Sequence, residues 1–125
     1  MKKQIISLLT IIFSLISFKT NSSEHNWIPA QHGDKIIMIR HALAPGGGDP
    51  KGFKIDDCKT QRNLNEIGIN QSKKIGKLFE EKNIKIDQVL SSQWCRCKDT
   101  AKYAFGSFKE FSALNSTFSS PFDKN

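Results

Sequence analysis

The chain has 125 residues, 38% hydrophobic and 25% charged, with a mean hydropathy of −0.43 and a formal net charge of +7. That length holds one domain, since domains most often run to about 100–150 residues, and eight glycines with four prolines exclude a collagen-like or low-complexity chain. Three lysines and no acid fall in the first 22 residues, which leaves 16 bases against 12 acids, or +4, for the remainder, so the charge calls for no nucleic-acid partner.

Met1-Lys2-Lys3 is a short basic start, and Ile5 to Phe18 is an apolar run of 14 residues interrupted only by Ser and Thr. As a helix at ~1.5 Å per residue it spans about 21 Å, less than the ~30 Å of a hydrocarbon core. That is the shape of an export signal, with Thr20 and Ser22 as the small residues of a cleavage site; the alternative is an uncleaved N-terminal anchor. Either way the globular part is expected outside the cytoplasm, periplasmic or secreted, with no stable membrane insertion unless the signal stays attached. Residues 1–22 are thus read as a signal, 23–34 as a polar linker and 35–125 as the domain.

Lys35-Ile36-Ile37-Met38-Ile39-Arg40-His41 reads as a strand buried on both faces, the pattern of a parallel sheet, with Arg40 and His41 at its C-terminal end. Ala42 to Thr60 contains Pro45, Gly46, Gly47, Gly48, Pro50 and Gly52 and is expected as a long loop. Asn65-Glu66 opens a helix as N-cap and first-turn acid. Ile67, Ile75, Leu78 and Phe79 share one face of it, and Gly68, Ser72 and Gly76 form a small-residue row that lets it lie close against a sheet. This helix should end near Lys82-Asn83. Ile84 to Ser91 follows as a second strand, Ser91-Ser92 as the cap of a helix from about Gln93 to Phe105, Gly106 as its C-terminal stop, and Phe108 to Leu114 as a third strand. Strand, helix, strand in this order is a βαβ unit with parallel strands. The expected fold class is α/β: three layers, a mostly parallel sheet with helices on both faces, truncated after the third strand.

The residues after position 22 include 13 lysines but only three arginines, Arg40, Arg62 and Arg96. A composition that prefers lysine for surface charge marks arginine as the place for a planar, bidentate fork on phosphate or carboxylate; structural pairing with acids is the alternative. Ligands of open α/β sheets bind at the C-terminal edge of the strands. Arg40-His41 ends the first strand, Ser91-Ser92 ends the second, and Arg96 lies in the first turn of the next helix, where the helix dipole favours an anion. A phosphate site with His41 as nucleophile is the sharper reading. A buried core histidine is the plainer one.

Cys58, Cys95 and Cys97 agree with an oxidising compartment. Cys95-x-Cys97 could chelate, but three cysteines with no histidine nearby fall short of a structural zinc set. Cys95 and Cys97, two apart on a helix, point about 200° from each other and do not bond together.

Three segments, in order, resemble the histidine phosphatase superfamily, the phosphoglycerate-mutase-like group. Ile39-Arg40-His41-Ala42 is similar to its Arg-His-Gly signature. Gln61-Arg62-Asn63-Leu64-Asn65-Glu66-Ile67-Gly68 is similar to its Arg-x-Leu-(Thr/Ser)-x-x-Gly helix start, and Val89 to Ala101, carrying Ser91-Ser92 and Arg96 to Thr100-Ala101, to its Ser-Ser-x-x-x-Arg-x-x-x-Thr-Ala block. The resemblance implies that His41 accepts the phosphoryl group, that Arg40 and Arg96 hold its oxygens, that Arg62 contacts substrate or the loop and that Ser92 contacts substrate; an ion pair of Arg62 with Asp56 or Asp57 is the alternative for that residue. It implies a phosphomonoester substrate, a phosphorylated small molecule or glycan, and no metal or other cofactor, because arginines supply the positive charge. Its pocket brings the loop of Cys58 beside the helix of Arg96, and extracytoplasmic members resembling this chain carry a cysteine just before that arginine. The implied disulfide is therefore Cys58 to Cys95, with Cys97 free.

The chain departs from the pattern in three places. Ala42 stands where the family has glycine, no histidine follows His41 to complete the pocket, and Leu114-Asn115 is followed by Ser116 where mutase-like members carry Glu. The chain thus resembles the N-terminal half or so of an exported member, expected to be a weak catalyst, with Phe108, Phe111 and Phe118 poorly covered at an open sheet edge. A non-catalytic phosphate or phosphosugar binder on the same fold is the alternative.

Overall fold

The structure, a computed structural model, describes residues 27–116. The signal, its cleavage site and Phe118 lie outside the described residues. Within them are helices α1 (Ile28–Gln31), α2 (Glu66–Glu81) and α3 (Cys95–Phe105), strands β1 (Leu90–Ser91) and β2 (Lys109–Glu110), and 3-10 turns at Cys58–Thr60 and Ser112–Leu114.

Asn65 starts α2 by accepting from the Gly68 amide at 2.9 Å, which satisfies one of the amides that a helix N-terminus leaves without a partner. The small-residue row does bring neighbours close, but they are a loop and a helix rather than a sheet. A Cβ on Gly68 would sit 2.1 Å from the Leu43 carbonyl oxygen, and one on Gly76 1.9 Å from that of Ala104 in α3. Ser72 between them is 0% exposed and donates to the Gly68 carbonyl at 2.9 Å, so its hydroxyl is buried at no cost in unmet hydrogen bonds. Phe79 stacks edge-on against Phe105 at 5.2 Å and Trp27 at 6.4 Å.

Trp27 introduces a correction: the expected polar linker contains α1, whose Pro29 sits in the first turn, where its missing N–H costs nothing. Gln31 donates to the Lys82 carbonyl at 2.8 Å, tying α1 to the end of α2. There Asn83 takes φ 53° and the chain reverses, with the Ile84 amide returning to the Phe79 carbonyl at 2.9 Å.

The strands are shorter than their sequences suggest. β1 and β2 pair in parallel, Leu90 opposite Lys109 and Ser91 opposite Glu110, and the flanking bonds from the Lys109 amide to Val89 and the Phe111 amide to Ser91 are 2.9 and 2.8 Å. The βαβ crossover that forms is β1, α3, β2, one unit later than expected. Ile84 to Gln88 stays outside the ladder, and the end of the expected third strand turns into the Ser112–Leu114 3-10 turn. Lys35 to His41 forms no strand and has no backbone hydrogen bond to β1 or β2. Ile36 is 93% and Met38 82% exposed, against the expectation of burial on both faces. A run of isoleucines specifies a surface that wants cover, while a strand also needs a partner edge, and among the described residues none is paired to it.

α3 also starts differently. Its N-cap is Trp94, with no side-chain cap, so Ser91-Ser92 does not cap it. The Cys95 amide is met instead by Gln61 Oε1 at 3.0 Å and the Gln93 amide by Asn115 Oδ1 at 2.9 Å.

Candidate functional site

The site gathers where the Gly-rich loop after His41 folds back over the start of α3. Two anchors hold it there. Cys58 and Cys95 form a disulfide with a Cα–Cα distance of 5.6 Å, and Cys97 is free. Gln61, buried, donates from Nε2 to the Lys54 and Ile55 carbonyls at 2.9 Å each while its oxygen takes the Cys95 amide. The whole amide is used, so the loop and the helix are joined by a polar group with no unmet demand.

His41 is half-buried. Its Nδ1 lies 2.7 Å from the Ala42 carbonyl oxygen, an acceptor, so Nδ1 carries the proton and Nε2 keeps its lone pair. Burial lowers the imidazole pKa below its ordinary value; the bond to Ala42 offsets part of this, and the charges of Arg96, Arg62 and Arg40 add to the lowering. The ring is neutral at pH 7 as a result. Ala42 is buried, its amide donating to Thr100 Oγ1 at 2.9 Å, and Thr100 donates to the Arg96 carbonyl at 2.7 Å. His41 is thereby registered against α3.

The arginines divide. Arg40 is exposed and has no hydrogen bond or ion pair among the described residues; it reaches His41 through its charge alone. Arg62 donates from Nη1 to the Ala44 carbonyl and, at 3.0 Å, to that of Gly46; it makes no ion pair with Asp56 or Asp57. Gly46 has φ +105°, and a Cβ there would meet Arg62 Cδ at 3.2 Å, so both the backbone and the arginine require glycine. Arg96 is 8% exposed, its guanidinium 5.9 Å from the Trp94 ring centre, and donates from Nη1 to both Asp49 oxygens at 2.8 and 3.0 Å. Both arginines therefore attach to the same loop through Nη1. In both, Nε is buried without a hydrogen-bond partner.

Nε and Nη2 form the edge of a guanidinium that presents two parallel N–H bonds, the geometry that matches a phosphate or carboxylate. Leaving a buried charged donor unmet costs on the order of 1–3 kcal/mol or more. Both donors belong to arginines whose charges act on His41, and a guanidinium edge of this kind is able to receive an anion. Ser92 is buried behind β1, its carbonyl accepting from Ser91 Oγ at 2.9 Å; no hydrogen bond joins its hydroxyl to His41 or to any of the three arginines. A groove of about 670 Å³ lies elsewhere, lined by Phe79, Ile84, Ile86, Phe105 and Phe108 among others, and none of the site residues lines it.

Asp49 was not legible as a site residue. It is the one acid between Pro45 and Gly52, and a lone carboxylate among glycines had no helix or strand to place it. Gln61 likewise stands directly before Arg62 with nothing in its neighbours to mark it as the tie between loop and helix.

Compared with family models, with curated proteins and with solved structures, the chain matches none. Among the described residues no group of three His, Cys, Asp or Glu comes together as a metal set, and no helix is long and apolar enough to cross a membrane.

Proposed function

We propose that the protein is an exported histidine phosphatase of three-layer α/β fold, hydrolysing a phosphomonoester through a phosphohistidine at His41. The observation that carries this is the pair of unmet guanidinium Nε groups, on Arg62 and Arg96, whose charges both act on a neutral His41. With the phosphoryl oxygens held on the arginine edges, the Nε2 lone pair forms a P–N bond as the ester P–O bond breaks. The leaving oxygen takes up a proton from solvent, and water then breaks the P–N bond to release inorganic phosphate and a proton and to regenerate Nε2. Phosphoryl transfer depends chiefly on positioning and charge stabilisation, which is what these groups supply. No histidine follows His41, so turnover by these 125 residues is expected to be slow.

A phosphate-binding protein without turnover is the second reading. What favours it is Asp49, the carboxylate against the arginines. Burial alone would raise its pKa, but hydrogen bonds from Arg96, Arg62 and Trp94 hold it below its ordinary value, so at neutral pH it has no proton to give a leaving group. Incubation with a labelled aryl phosphate, followed by an alkaline quench and peptide mapping, tests both readings. Acid-labile label on His41, lost in His41→Ala, supports the enzyme; phosphate binding without label supports the second reading; no phosphate binding overturns both.

A further inference from the structure

The Asp49 carboxylate is used more fully than any other in the described residues. It receives the Arg96 guanidinium on both oxygens, the Trp94 indole N–H at 3.0 Å on Oδ2 and the Arg62 backbone amide at 2.9 Å on Oδ1. Its side chain is 4% exposed. Two separate pieces of the chain, the start of α3 with the Trp94 before it and the approach to α2 at Arg62, thus converge on one side chain carried by the Gly-rich loop.

Three roles are open to a carboxylate beside a phosphate site. As a proton donor it would need a raised pKa, and Asp49 has a lowered one. As a stand-in occupying the anion's own place it would take the side edge of the guanidinium, yet both of its oxygens go to Nη1 and the Nε of Arg96 stays unmet. The third role is to hold the guanidinium from one side so that the other is presented. Arg62 is held in the same manner, with Nη1 on the Ala44 and Gly46 carbonyls, only five and three residues before Asp49 in the same loop.

We infer that Asp49 is a positioning residue, which anchors Arg96 by Nη1 and turns its Nε–Nη2 edge toward the phosphoryl group bound at His41. The inference rests on the phosphate-site reading above. It carries a sign that distinguishes it: deleting a negative charge next to an anion site strengthens anion binding by simple electrostatics, and the same deletion weakens binding if the charge holds the binding group in place.

The test is titration of the whole oxidised chain with inorganic phosphate, read by calorimetry and by the Arg96 Nε–H and Trp94 indole resonances. In the unmodified chain phosphate should shift Arg96 Nε–H and leave the Trp94 indole N–H in place, because Asp49 does not move. A displaced indole signal would show the carboxylate being expelled and would overturn the inference. Asp49→Ala should bind phosphate about tenfold more weakly or worse, the loss of a charge-assisted orienting bond, and should lose the Arg96 Nε–H shift. Asp49→Asn, which keeps the size and one acceptor, covers the case in which the alanine variant does not fold and should bind at an intermediate level. Unchanged or tighter binding in a folded variant refutes the positioning role and leaves the phosphate site standing; absence of binding in the unmodified chain removes both.

Discussion

The loop from Ala44 to Arg62 and the segment from Lys35 to Ile39 flank the same histidine, and they are finished to different degrees. In the loop almost every buried polar group has a partner, a disulfide ties it to α3, and what stays unmet is the Nε of Arg62, matched across the tie by that of Arg96 in α3. In the segment before the histidine four apolar residues in a row are exposed, Ile36 and Met38 by 93% and 82% and Ile37 and Ile39 by 44% and 47%. The contrast teaches that directional interactions, hydrogen bonds, an ion pair and a disulfide, can complete a loop from nearby pieces of chain. Apolar surface is completed only by another layer laid over it.

The largest expected effect breaks the comparison at its centre. His41→Ala should abolish acid-labile phosphate incorporation, while near-ultraviolet circular dichroism stays that of the parent, since the loop is held by Cys58, Gln61 and Asp49 rather than by the imidazole. Next is the covalent tie. Cys58 and Cys95 close a loop of 37 residues, and replacing both by serine should cost about 3–4 kcal/mol in chain-entropy terms, measured by urea unfolding against the oxidised parent. On the packed face of α2, Gly76→Ala gains about 1 kcal/mol of helix propensity, but its Cβ meets the Ala104 carbonyl oxygen, and overpacking against backbone should leave a net loss of about 2 kcal/mol.

The pH dependence separates the two titrating groups. His41 has a lowered pKa, so between that value and the ordinary 6.5 the folded state binds fewer protons than the unfolded one; its contribution to stability is full above 6.5 and falls as the solution is acidified through that window. Asp49 contributes above its ordinary 3.8 and loses that contribution as pH falls through its lowered folded value. The labelling rate should therefore stay level from pH 8 to 6.5, and an imidazole midpoint at or above 6.5 by NMR would contradict the neutral nucleophile. The smallest effect is on the uncovered side. Ile36→Ser with Met38→Ser should change the unfolding free energy by less than about 0.5 kcal/mol yet raise the concentration at which light scattering appears.

Local order was legible in the sequence where the signal was local. Asn65 before a periodic run marked the start of α2, Gly106 the end of α3, and the spacing of Gly68, Ser72 and Gly76 a close-packed face. The positions of Arg40, His41, Arg62 and Arg96 could be read as a set because arginine is scarce in a lysine-rich chain. The pairing of Cys58 with Cys95 followed from the family resemblance and is present in the structure. The strand lengths were misread, because a run such as Ile36 to Ile39 reports hydrophobicity and says nothing of whether a neighbouring edge is there to receive its amides.

By itself, then, the sequence determined the two long helices α2 and α3, the arginine scarcity that singles out three residues, and the cysteines free to pair. The tertiary structure alone decided which edge of each guanidinium is consumed and which is left over. That choice depends on a carboxylate 47 residues away along the chain from Arg96 and on two loop carbonyls facing Arg62. No local propensity encodes such a distance; it follows from a flexible glycine loop being closed by one disulfide and one buried glutamine until Asp49 meets the start of α3.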